Sequence, residues 1–204
     1  MAVYTCLLLG EKGSGKTAFL NLLGSMPVVL NTGQSQMEAV GPGPTEAVSV
    51  HEVRGLDFGL AVIDTPGLGG PEGVDADSKC LESLRQAIQR QESIHCVVLV
   101  LNGRVARVKP SMRYVLSTIG SILPKEALGH VIVVFTRMKD PQRDMRLDLA
   151  SPEMSWVAQV PQGRRFFINN PWTRLEAEVQ LRESGENSEE RLRSLREEFA
   201  EAAR

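Results

Sequence analysis

Apolar residues in this chain come in short runs, separated by stretches with a helical repeat. VYTCLLL (3–9), LAVID (60–64), CVVLVL (96–101), VIVVF (131–135) and RFFI (165–168) are nearly continuous, which predicts strands buried on both faces. AVSVHEV (47–53) alternates instead and predicts a half-exposed strand. Leu81, Leu84 and Ile88 recur at steps of three and four. Met112, Val115, Leu116 and Ile119 do the same, with Pro110 suited to a first helical turn. Strand–helix alternation of this kind predicts an α/β fold: three layers, a mostly parallel central sheet of about six strands, and helices on both faces.

Two stretches break the pattern. Residues 31–46 carry Gly33, Gly41, Pro42, Gly43 and Pro44 and read as a long loop, a length that compact domains keep for function. Residues 172–204 are charged and read as two helical pieces broken at Gly185, with Asn187 or Ser188 as the cap of the second. Leu192, Leu195 and Phe199 form a narrow stripe on that piece, suited to packing on its own domain or on a partner. The expected division is a domain over 1–171 and a helical segment over 172–204.

Composition narrows the classes. With 204 residues, 42% hydrophobic, the chain can build one compact core. The 23 basic and 25 acidic residues leave a net charge of −2, so nothing draws it toward nucleic acid. Cys6, Cys80 and Cys96 are an odd set without metal spacing, which predicts reduced thiols and a cytoplasmic setting. The N-terminus does not read as a signal peptide, and no apolar run approaches the length of a membrane span; membrane association would need an anchor beyond residue 204.

The chemistry begins at GEKGSGKT, residues 10 to 17, between a predicted strand and the helical AFLNLLG. Gly10, Gly13 and Gly15 let the backbone of Glu11, Lys12 and Ser14 turn its amides inward as a nest for phosphate oxygens. The helix opening at Lys16, Thr17 and Ala18 points its positive end at the same place. Lys16 is expected on the β- and γ-phosphates of a nucleotide, and Thr17 on Mg²⁺. A second signal, AVIDTPGLGG, ends a strand in Asp64, 48 residues after Lys16. Asp64 is expected to hold Mg²⁺ and Gly67 to offer its amide to the γ-phosphate, at adjacent strand ends. Thr45, 19 residues before Asp64, is the candidate switch threonine that closes on the metal; Thr32 and Ser35 compete with it.

Among P-loop proteins DTPG is similar to the GTPases, which read guanine with an Asp after a later strand. Here that strand runs into Arg137-Met138-Lys139-Asp140, and Asp140 is the candidate: its carboxylate suits guanine N1–H and N2–H, which adenine lacks. Met138 stands where Lys is usual, with a side chain long enough to lie over the base.

GEKGSGKT, IDTPGLGG, SIHCVVLVLNGR (93–104), VVFTRMKD and FFINN (166–170), in this order and spacing, resemble the immunity-associated GTPases, the septin-related GIMAP-type family, with this chain a distant member. The loop after the first helix departs from that family in length and composition, and its usual Cys near FFINN is missing. The resemblance implies GTP or GDP with Mg²⁺, and Asn169 and Asn170 beside base and ribose. A polar strand-end turn before Pro171 is the plain alternative for the two asparagines. The position after D-x-x-G is Leu68, which cannot orient a water as Gln does in many GTPases. Arg104 follows the LVLNG strand end and matches the family's Gly-Arg pair; in a face-to-face dimer it would reach the partner's phosphates, where an arginine finger is worth roughly 10³–10⁵ in rate. A solvated loop arginine is the alternative. The expectation is a guanine-nucleotide switch, slow in hydrolysis, forming a homodimer in the GTP state; the competing expectation is a GTP-bound scaffold with negligible turnover. An ATPase or small-molecule kinase on the same loop is disfavoured by Asp140.

Overall fold

The structure is a computed structural model that describes residues 2–29, 40, 45–54, 58–69, 74–122 and 129–169. Its strands are β1 (Val3–Gly10), β2 (Ser49–Val53), β3 (Gly59–Asp64), β4 (Cys96–Asn102), β5 (Val131–Thr136) and β6 (Arg165–Ile168). Between them run α1 (Lys16–Val29), α2 (Val74–Gln89), α3 (Pro110–Ile122) and the short α4 (Pro141–Asp144). They form one six-stranded sheet in the order β2-β3-β1-β4-β5-β6, parallel except for the β2–β3 pair. The continuous apolar runs are the central strands, and each feeds two cores by alternation. Leu7 and Leu9 of β1 face one core with Leu99, Val133, Phe135, Leu84 of α2 and Met112, Val115, Leu116 and Ile119 of α3. Cys6 and Leu8 face the other with Val98, Val100, Val134 and Leu20 of α1. Each fully buried Leu or Val contributes about 1.5–3 kcal/mol. The alternating strand is the edge strand β2, where Val50 is exposed and Val53 buried.

Neighbouring connections leave β1 in opposite directions, to β3 on one side and β4 on the other. The crevice at the carboxyl ends of such strands is where this architecture binds ligands. Register puts Leu8 beside Asp64 and Gly10 beside Val100, so the first glycine loop and the DTPG segment leave the sheet side by side.

Two cysteines distant in sequence meet: Cys6 and Cys96 are register partners on β1 and β4, with their sulfurs 2.8 Å apart. Trp156 packs against the α2–α3 core. The expected helical segment 172–204, Trp172 and most of the 31–46 loop, including Thr32 and Ser35, lie outside the described residues. Among those described, no helix is long and apolar enough to cross a membrane.

Candidate nucleotide site

The loop from Gly10 to Gly15 folds as glycine permits and other residues do not. Gly13 and Gly15 have φ of 78° and 98°, and a Cβ at Gly10 would lie 2.4 Å from the Val100 carbonyl oxygen. Ser14 donates its amide to the Glu11 carbonyl (3.1 Å), closing the turn into α1. Thr136, at the end of β5, donates its hydroxyl to the Ser14 carbonyl (2.7 Å) and so clamps the loop from the side. Lys16 opens α1 and turns back, its ammonium donating to the carbonyls of Gly10 and Glu11, each at 3.3 Å. The side chain is buried, and burial lowers its pKa against the pull of Asp64. A buried ammonium held, among the described residues, only by carbonyls at 3.3 Å is poised to take stronger acceptors. Thr17 and Ala18 follow on the first turn, half-buried.

Three oxygens converge beside it. Thr17 and Thr45 hydroxyls lie 3.2 Å apart, and Thr45 donates to Asp64 Oδ2 at 3.0 Å. Asp64 is fully buried; burial raises its pKa, with the Thr45 hydrogen bond and the Lys16 charge opposing. Its Oδ1 has no hydrogen-bond partner among the described residues, nor has the buried hydroxyl of Ser14. An unpaired buried carboxylate oxygen, with the Thr45 hydroxyl on its fellow oxygen and the Thr17 hydroxyl next to that, makes a set of hard donors that suits Mg²⁺.

The segment after Asp64 is latched to the loop. Lys12 donates its amide to the Leu68 carbonyl (3.1 Å), and a Cβ at Gly67 would lie 2.4 Å from Lys12 Cα. Gly69 donates to both oxygens of Asp77 at 3.1 and 3.2 Å. Glu11 accepts a hydrogen bond from Ser111 at the start of α3. Leu68 itself is 2% exposed and sits in the α2–α3 core, so its side chain is turned away from the crevice.

At the end of β5 the chain makes a tight turn. Arg137 takes φ of 63°, unusual for a residue with a Cβ. Met138 donates its amide to Ile168 (2.9 Å), which brings exposed Asn169 beside the turn; Asn170 lies outside the described residues. The Met138 side chain does not lie over a base as the sequence suggested. It is 2% exposed, in the core, with its sulfur against Gly103. The reason is apolarity: with no charge to keep wet, the side chain fills the gap that Gly103 leaves. Lys139 is exposed. Asp140 is partly exposed (46%) and caps α4, its Oδ1 accepting the amides of Gln142 (3.0 Å) and Arg143 (3.4 Å). Arg104 is exposed and pairs with Asp144 at 3.0 Å. Sequence reading missed Thr136, Asp77, Ser111 and Asp144. Each acts on residues of another element or turn; Thr136 stands in VVFTRMKD without having been given a role, and Asp77, Ser111 and Asp144 stand in no motif.

A crystal structure of Toc33 from Arabidopsis thaliana in complex with Mg²⁺ and GMPPNP is similar to this chain with a TM-score of 0.61 and 21% identity, over 83% of this chain and 72% of that one. A dimerisation-deficient Toc33 mutant is similar with a TM-score of 0.57 and 20% identity, over the same shares. A third structure, concerned with the importance of dimerisation for the GTPase activity of the chloroplast translocon components atToc33 and psToc159, has a TM-score of 0.60 and 20% identity, over 83% of this chain and 71% of that one. At these identities the likeness establishes the fold. No curated protein matches the chain significantly in sequence. The resemblance to the immunity-associated GTPases holds, because a family model matches residues 4–185 and the chain therefore belongs to the AIG1 family.

Proposed function

We propose that this AIG1-family protein is a guanine-nucleotide-binding switch that hydrolyses GTP slowly and pairs through its nucleotide face when GTP is bound. The observation that carries the reading is the convergence of Lys16, Thr17, Thr45 and the unpaired Asp64 oxygen beside a glycine loop of phosphate-binding form.

Each residue has a role in this reading. The amides from Gly13 to Ala18, except that of Ser14, cradle the phosphates, and Lys16 exchanges its two carbonyls for β- and γ-phosphate oxygens. Thr17, Thr45 and Asp64 would hold Mg²⁺, which would supply charge neutralisation for the phosphates. Thr45 is the switch: it stays on this corner while a γ-phosphate is present and leaves after hydrolysis. Gly67 presents its amide to the γ-phosphate. Arg137 to Asp140 form the base-reading turn, with Asp140 pairing to guanine and Asn169 and Asn170 flanking base and ribose. The Mg²⁺ and GMPPNP complex of Toc33 supports the ligand assignment.

Slow turnover is supported by Leu68, whose burial leaves no side chain at the water-orienting position. Arg104 of a second copy would supply the missing charge stabilisation after giving up its pair with Asp144. Dimerisation matters for GTPase activity in the translocon proteins, which supports this arrangement. The burial of Leu68 equally favours a second reading, a GTP-held assembly scaffold with negligible hydrolysis. In either case we read the chain as cytoplasmic, a reading supported by its free cysteines, and as having no nucleic-acid partner, supported by its near-balanced charge.

Mass spectrometry of the nucleotide that co-purifies with the chain, followed by single-turnover hydrolysis over a range of protein concentrations, tests both. A rate per molecule that climbs with concentration supports catalysis completed by a partner. Bound GTP with no phosphate released at any concentration supports the scaffold, and an adenine nucleotide overturns both.

A further inference from the structure

Asp144, the last residue of α4, lies in none of the sequence motifs, yet its carboxylate is engaged on three sides. Oδ2 accepts the amides of Lys139 (2.9 Å) and Asp140 (3.0 Å), and Oδ1 accepts from the Arg104 guanidinium (3.0 Å). The exchange with Asp140 is mutual. Asp140 caps the start of α4 with its side chain, and Asp144 reaches back to the amide of the capping residue, an exchange like a capping box but one residue longer. The Asp144 amide also donates to the Asp140 carbonyl at 2.7 Å.

The turn needs such a brace. Arg137 holds a left-handed φ of 63°, a conformation unfavourable for a residue with a Cβ. Met138 anchors the turn through its buried side chain and its bond to Ile168, but these grip one residue only. Lys139 and Asp140 take their amide bonds from Asp144. The Arg104 charge and these amides hold the Asp144 carboxyl below the usual carboxylate range, the Asp140 amide foremost, so it stays an anion at neutral pH.

We propose that Asp144 is the positioning residue of base recognition: by binding the Lys139 and Asp140 amides it fixes the backbone from which Asp140 presents its carboxylate to guanine. This rests on the reading of Asp140 as the guanine-binding residue.

Titration calorimetry of the full chain with GDP, IDP and ADP in Mg²⁺ tests it. IDP lacks the 2-amino group, and ADP reports the phosphate contribution alone. Asp144→Ala is expected to weaken GDP binding about tenfold, the effect of one lost constraint worth about 1.4 kcal/mol, while ADP binding changes less than about twofold. The preference for GDP over IDP should shrink with it. Asp144→Asn keeps an oxygen for the two amides and should fall between the two; it also serves as the variant to measure if the alanine protein does not fold. Amide hydrogen exchange at Lys139 and Asp140 should quicken in step with the loss of selectivity. Equal weakening of GDP and ADP, or unchanged selectivity in a folded variant, overturns the proposal. A wild-type chain that binds GDP and ADP alike instead removes the Asp140 reading, and this inference with it.

Discussion

Thr45 and Asp64 are joined by a 3.0 Å hydrogen bond although one comes from the glycine-rich loop region and the other from the end of β3. That bond holds one carboxylate oxygen and leaves the other, buried, without a partner. A buried carboxylate oxygen left unpaired carries a desolvation cost that a bound cation would relieve.

Asp64→Asn should therefore separate stability from function. Burial raises the Asp64 pKa above its value in the unfolded chain, so the folded state favours the protonated acid. The penalty of the charged form is present at pH above the raised pKa and relieved as pH falls through it. The amide variant should melt higher than the nucleotide-free wild type at neutral pH, and this advantage should vanish in acid. Its Mg²⁺-dependent nucleotide binding should be lost. Thermal melts across pH, with a binding titration, check both parts.

Lys16→Ala should abolish nucleotide binding and leave the fold intact. Among the described residues the buried ammonium has only two long bonds to carbonyls, and its pKa is lowered by that burial. Removing it takes away a charge that disfavours the nucleotide-free fold, so the melting temperature should hold or rise. Unchanged affinity for GTP, read by fluorescence titration, would refute the phosphate cradle.

Leu68→Gln tests whether a water-orienting side chain can be restored by substitution. Position 68 is in the α2–α3 core, so the amide would be buried rather than presented to a nucleotide. The expected result is a loss of about 2–4 kcal/mol in chemical denaturation with no gain in single-turnover hydrolysis. A faster reaction would mean that the segment turns over when nucleotide binds.

Asp140→Asn should change the base and little else. Asn caps a helix about as well as Asp, so α4 should survive. GTP should bind more weakly, and xanthosine triphosphate, whose 2-oxo group can accept from the new amide, should bind better. Equal selectivity in a competition assay would remove Asp140 from the base-reading role.

The strands, the helices α1 to α3 and the left-handed turn of the glycine loop were legible in the sequence, which also named Lys16, Thr17 and Asp64 as candidates. Strand β6 was read at its observed bounds, and β2 only two residues long at its start. These features answer to local rules: apolar period, glycine where a backbone turns left, a strand end before a polar cluster. What the tertiary structure alone decided are meetings between distant segments. Thr45 rests on Thr17, Glu11 on Ser111, Thr136 on the glycine loop, Cys6 on Cys96, and Arg104 on Asp144. Met138 and Leu68 show the same limit in reverse, since their motif positions suggested the crevice and the core took them. A motif constrains the backbone that carries a side chain. Which way an apolar side chain turns, and which distant carboxylate braces a loop, follow from the free energy of burial and pairing in the assembled sheet.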